Sequence, residues 1–103
     1  MEERTIKDPI VESVVQQAVK SLKPRRIILF GSRARGDASE KSDYDFAFEL
    51  AKKEEPNWSR FALDADEKTP TLKKLDLVRL DQIDEDFKKR ILSEGIVVYD
   101  QKR

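Results

Sequence analysis

Residues 31–45 read GSRARGDASEKSDYD and separate two apolar runs. No other feature limits the fold as much as this connection. The run before it, Arg25 to Phe30, is rich in β-branched and aromatic residues and bounded by Pro24 and Gly31, which predicts a buried strand. The run after it, Asp43 to Leu50, puts Tyr44, Phe46 and Phe48 on one face and Asp43, Asp45 and Ala47 on the other, as a second strand would. Between them, Gly31 to Gly36 reads as a turn with room for one helical turn after Ser32, and Asp37 to Ser42 reads as a polar loop. No full crossover helix fits there. The two strands are therefore expected to be antiparallel neighbours in a mixed sheet, not members of a doubly wound parallel one.

The remaining segments fall around this unit. Asp8 and Pro9 are a helix start, and Ile10, Val11, Val14, Val15, Ala18, Val19 and Leu22 form one apolar face until Lys23-Pro24 stops it. Lys52 to Pro56 reads as a charged connection. Trp58, Phe61, Ala62 and Ala65 predict a short amphipathic helix over 57–66, ended by Thr69-Pro70-Thr71. Lys74 to Leu80 reads as a third strand. Ile83, Phe87, Ile91 and Leu92 mark a last helix, with Gly95 as its expected left-handed cap. Ile96 to Tyr99 reads as a fourth strand. The expected fold is α+β: one domain over 1–103, a small mixed sheet of about four strands, and helices packed on one face.

Composition narrows the chemistry. The chain has 103 residues with no cysteine and no histidine. Thiolate sites, disulfides and the usual neutral-pH base are thereby excluded, and any bound metal must be a hard cation on oxygen ligands, Mg²⁺ or Mn²⁺ before zinc. Lys and Arg number 21 against 21 Asp and Glu, a balance that gives no global attraction to nucleic acid or an anionic membrane. The charged start, MEERTIKDP, has no apolar signal core, and no run approaches membrane-spanning length, so a cytoplasmic protein is expected.

Three features carry chemistry. Gly31 frees the backbone after a buried strand and lets a phosphate approach it, while Ser32 adds a hydroxyl; taken alone, the pair also fits an ordinary strand-end turn. Asp43 and Asp45 lie roughly 6.6 Å apart along one strand face. Their arms can clasp one or two divalent ions about 3.5–4 Å apart, although two solvated aspartates at a strand start would look the same. Asp76 interrupts an apolar strand, where a carboxylate needs a partner or a metal; the solvent face of an edge strand, or an ion pair with Arg79 or Lys74, would also account for it. Arg33 and Arg35 flank the turn and fit either phosphate contact or solvated surface. Trp58, Phe61, Phe46 and Phe48 read as core.

Jointly, Gly31-Ser32-x-Ala34-x-Gly36, Ser42-Asp43-x-Asp45 and Asp76 on a later strand resemble the DNA-polymerase-β-like nucleotidyltransferases, in particular the minimal nucleotidyltransferase (MNT) branch. The resemblance spans nearly the whole chain. It implies a polymerase β palm-like fold, nucleotide binding by Gly31, Ser32, Arg33 and Ser42, and catalysis and metal binding by Asp43, Asp45 and Asp76 with two Mg²⁺ ions or Mn²⁺ in their place. It further implies transfer of a nucleoside monophosphate, AMP from ATP above all, to a hydroxyl. In this branch the acceptor can be a tyrosine of a helical HEPN toxin for which the MNT chain is the antitoxin. The alternative is an antitoxin that binds its HEPN partner without catalysis. Tyr44 and Phe46 replace the usual aliphatics but point away from the metal face. An Asp-x-Asp glycosyltransferase would leave the Gly-Ser turn unexplained, and a templated polymerase would need further domains and a basic excess. Assembly with itself or with the partner is compatible with all of this.

Overall fold

The computed structural model describes residues 2–3, 7–52 and 54–102, and for residues 2 and 3 only the backbone. Lys53, within the expected 52–56 connection, lies outside the described residues. The elements are β1 (Glu2–Glu3), α1 (Pro9–Leu22), β2 (Arg26–Phe30), α2 (Ser32–Arg35), β3 (Tyr44–Glu49), α3 (Trp58–Lys68), β4 (Leu75–Arg79), α4 (Glu85–Glu94) and β5 (Ile96–Asp100), with a 3-10 turn at Leu80–Gln82. The strands form one five-stranded sheet in the order β1-β5-β2-β3-β4. β2 runs antiparallel to β3 and to β5, while β3 and β4 are parallel, so the sheet is mixed as expected. β1, a two-residue strand parallel to β5, was not expected.

Local signals account for the first helix. Asp8 accepts the amide of Ile10 at 2.8 Å, a side-chain cap on donors that the helix itself cannot satisfy. Val11, Val14, Ala18 and Leu22 are buried on one stripe. Lys23 then turns left-handed at φ 48, and Pro24 prevents continuation.

The sheet is covered on both sides. Ile27, Leu29, Phe46 and Phe48 pack with α1 and α3 in one apolar cluster. Ile28, Ala47 and Val97 pack with Leu80 and Ile91 in a second, joined by Phe30 and Phe87. The expectation of helices on one face therefore holds for α1 and α3, and α4 lies on the other. The physical reason is legible in β2, where Ile27, Ile28 and Leu29 are all buried. A strand that is apolar at successive positions needs cover on both faces.

Gly95 does not form the expected left-handed cap. Its backbone is extended, φ −77 and ψ 163, not left-handed. Glycine is needed there for space, since a Cβ would run into Ile28 Cγ2 and the carbonyl of Ile91. Gly95→Ala is expected to lower stability by about 1–3 kcal/mol through overpacking, measured by urea denaturation; a loss below a few tenths would mean that this contact relaxes freely.

Candidate active site

Strand register brings the singled-out residues together. Phe30 on β2 pairs with Asp45 on β3, and Asp45 pairs with Asp76 on β4. Asp45 shares its sheet face with Ala47, and Asp76 shares its own with Val78, so both carboxylates project toward the α4 side. Gly31, one residue past Phe30, ends up against Asp45: a Cβ built on it would overlap the Asp45 carboxylate. Its backbone, φ 75 and ψ −155, belongs to a region that essentially only glycine occupies. The amides of Ala34 and Arg35 return to the Gly31 carbonyl at 3.1 Å, which folds α2 directly over the end of β2. Gly36, at φ 87, closes that turn.

The electrostatics follow from this crowding. Partial burial first, then a hydrogen bond with Asp76 and the negative charges of Asp76 and Asp43, push the Asp45 carboxyl up to about 6, with Arg35 pulling the other way. Asp43 sits just before β3, exposed, and its Oδ1 accepts the amide of Lys74 at 3.2 Å. The Lys74 ammonium lies 3.3 Å from Asp76 Oδ1. The ion pair weighed for Asp76 is thus present alongside its contact with Asp45.

Above Asp45 opens a cleft of about 510 Å³, with Gly31, Phe30 and Asp45 on the sheet side, Phe87, Arg90 and Ile91 of α4 opposite, and Arg35 and Glu94 at the rim. Arg35 bridges Asp37 at 3.2 Å and Glu94 at 3.7 Å. Phe30 and Phe87 meet as a T-shaped pair, with ring centroids 5.8 Å apart.

The family model described as polymerase beta, nucleotidyltransferase, matches residues 12–103. The chain belongs to this family. It is a nucleotidyltransferase with the polymerase β-like fold, and solved structures agree. The chain is similar to a toxin–antitoxin crystallised with AMP-PNP (TM-score 0.72, 22% identity, 86% of this chain and 72% of that one). It is also similar to a mutant of the toxin–antitoxin MntA-HpeT (TM-score 0.69, 19% identity, 86% and 71%). A third similar structure is that of a proposed nucleotidyltransferase from Sulfolobus solfataricus (TM-score 0.60, 24% identity, 91% and 80%). No curated protein gives a significant match.

In this nucleotidyltransferase Ser32 follows Gly31 as the first residue of α2, while Arg33 and Ser42, also expected to bind nucleotide, do not line the cleft. Arg33 lies over the Tyr44 ring, 3.8 Å from its centroid, and donates to the carbonyls of Ser42 at 2.8 Å and Ser39 at 3.4 Å. Ser42 Oγ accepts the Ser39 amide at 2.9 Å. Arg33 and Ser42 therefore organise the loop before β3. Tyr44 is buried on the α1 side, donates to Asp8 Oδ2 at 2.7 Å, and has its ionisation pushed up to about 12, by burial first and then by that bond. The arginines that do reach the cleft are Arg35, singled out from the sequence, and Arg90, which was missed. The signal for Arg90 was its spacing from Phe87 and Ile91 on one helix, but it could be used only once α4 was assigned to the Asp45 face.

The donor set fits a hard divalent ion in kind. Asp45 and Asp76 present oxygen ligands forced together, a repulsion that a cation would relieve. It is not closed in geometry: among the described residues no three acidic side chains are gathered tightly enough to hold a metal, because Asp43 is directed to the Lys74 amide. No described helix is long and apolar enough to cross a membrane.

Proposed function

We propose that this nucleotidyltransferase is the antitoxin of a toxin–antitoxin pair and transfers AMP from ATP to a tyrosine hydroxyl of a helical HEPN partner, with Mg²⁺ as cofactor. The observation that carries the catalytic reading is the pairing of Asp45 with Asp76 on adjacent strands, with Asp45 packed against Gly31 and lining the cleft. In this reading the Gly31-Ser32 turn takes the phosphates at close range, since no side chain stands on the backbone there. Arg35 and Arg90 bring positive charge to the same cleft. Asp45 and Asp76 would hold the metal, with Asp43 joining as it gives up the Lys74 amide. When bound, two Mg²⁺ ions would offset charge on the entering and leaving oxygens. The acceptor oxygen bonds to the α-phosphorus, the bond to the bridging oxygen of the β-phosphate breaks, and pyrophosphate leaves. The hydroxyl proton passes to the Asp76 carboxylate, which stands on the edge strand β4.

A further point supports a partner-borne acceptor. Two of the similar structures are toxin–antitoxin assemblies, one of them holding a nucleotide analogue. The test is transfer of label from α-³²P-ATP to the helical partner protein, with Asp43→Ala as control. Label on a partner tyrosine that disappears in the variant is the expected result. Tight binding with no label transfer by the wild-type chain would leave the non-catalytic antitoxin reading in its place.

A further inference from the structure

We propose that Lys74 is a tethered counter-cation of the acid cluster that competes with the divalent ion, so that loading the site requires its ammonium to leave Asp76. This rests on the reading of Asp43, Asp45 and Asp76 as metal ligands and concerns which group of this chain opposes the ion. Three contacts converge on Lys74. Its amide donates to Asp43 Oδ1 at 3.2 Å, its ammonium lies 3.3 Å from Asp76 Oδ1, and its carbonyl accepts the Tyr44 amide at 3.0 Å. The last contact fixes the Lys74 backbone beside the segment that carries Asp43 and Asp45. One residue thus engages two of the three acids, one through its main chain and one through its side chain.

Those contacts explain why the acids, although adjacent, do not form a closed cage. Asp43 faces an amide and Asp76 faces an ammonium, and no described trio of acids is gathered around a common point. The ammonium is suited to a reversible role. The Lys74 side chain is 71% exposed and that of Asp76 39%, so the pair is screened by water and opens readily. Lysine is a compact charge on a flexible stem and forms no planar two-point clamp on a carboxylate, as arginine would. A divalent ion brings twice the charge and needs the same oxygens at short range. The two cations are therefore alternatives at Asp76, and Lys74 raises the metal concentration at which the site fills.

The test is direct metal binding to the nucleotide-free chain, with Mn²⁺ as probe and the free aqua ion followed by electron paramagnetic resonance. Lys74→Met, which keeps the stem and removes the charge, is expected to bind Mn²⁺ about two- to fivefold tighter than wild type, the scale of one exposed ion pair. Lys73→Met, which removes a neighbouring positive charge with no bond to the acids, is expected to shift affinity by less than half as much. Unchanged or weaker binding in Lys74→Met overturns the proposal, as does an equal gain in both variants, which would be a general charge effect. A wild-type chain that takes up no Mn²⁺ overturns the metal-site reading and this proposal with it, whereas wild-type uptake with no response to Lys74→Met overturns this proposal alone.

Discussion

Gly31→Ala is expected to reduce nucleotidyl transfer by at least about a hundredfold, while Gly36→Ala, five residues along the same turn, leaves transfer within a few-fold of wild type. Both glycines have positive φ, 75 and 87. Their surroundings separate them. At Gly36 a Cβ would meet nothing within 4 Å, so the substitution costs only the backbone strain of a left-handed alanine, about 1 kcal/mol. At Gly31 the backbone lies in the region that admits little except glycine, at about 1–3 kcal/mol for any other residue. The added carbon also overlaps the Asp45 carboxylate. Asp45 must then swing away from Asp76 or the turn must lift from the end of β2, and displacements near 1 Å cost on the order of a hundredfold in rate. Transfer measured with α-labelled ATP, beside thermal melting of each variant, separates the two effects. Gly31→Ala with near wild-type transfer would mean that the packing of the turn on Asp45 has no part in the chemistry.

The same stretch shows how far the sequence could be followed. Its lack of room for a crossover helix gave the antiparallel β2–β3 pair, and strand alternation put Asp45 and Ala47 opposite Phe46 and Phe48, as the two apolar clusters confirm. That Asp76, on another strand, would complete the site of Asp43 and Asp45 was an expectation of the family resemblance; its register opposite Asp45 comes from the parallel β3–β4 ladder. What could not be followed depended on long-range packing. Which face α4 takes is not written in α4, whose apolar stripe would suit either side, and with it went the cleft and Arg90. Arg33 looked equivalent to Arg35 beside the turn, yet one short helical turn sends it back over Tyr44 and the other toward Asp45. Gly95 carried the composition of a left-handed cap, but its real constraint is the approach of Ile28 from a distant strand. The β1 pairing also escaped, since two charged residues carry no strand pattern of their own. The contact of Lys74 with two acids could not be anticipated, because an amide bond to Asp43 depends on where two loops meet.

Asp45→Asn is expected to lower transfer by at least about a hundredfold, the scale of removing one group that acts on developing charge, and to leave the metal-free protein more stable than wild type near neutral pH. The sign follows from linkage. The Asp45 carboxyl is pushed up from 3.8 to about 6 in the folded chain, by burial first and then by Asp76 and Asp43. Its contribution to stability is therefore complete below the unfolded value and is lost as pH rises through about 6, where the native state must carry a second charge beside Asp76. A shift of this size corresponds to a ceiling of about 3 kcal/mol, and because the pair opens onto the cleft, screening leaves about 1 kcal/mol. Asparagine keeps the shape and removes the charge. Its stability advantage in chelator should emerge between pH 4 and pH 6 and then level off, reaching about 4–8 °C in Tm for a domain of this size. The stabilisation should shrink when Mg²⁺ is added, because the wild-type carboxylates gain a counter-ion that the variant has lost in part. A variant that melts several degrees lower than wild type across that range would show that Asp45 supports the fold. Its loss of activity would then say nothing about an acid pair held under strain for chemistry.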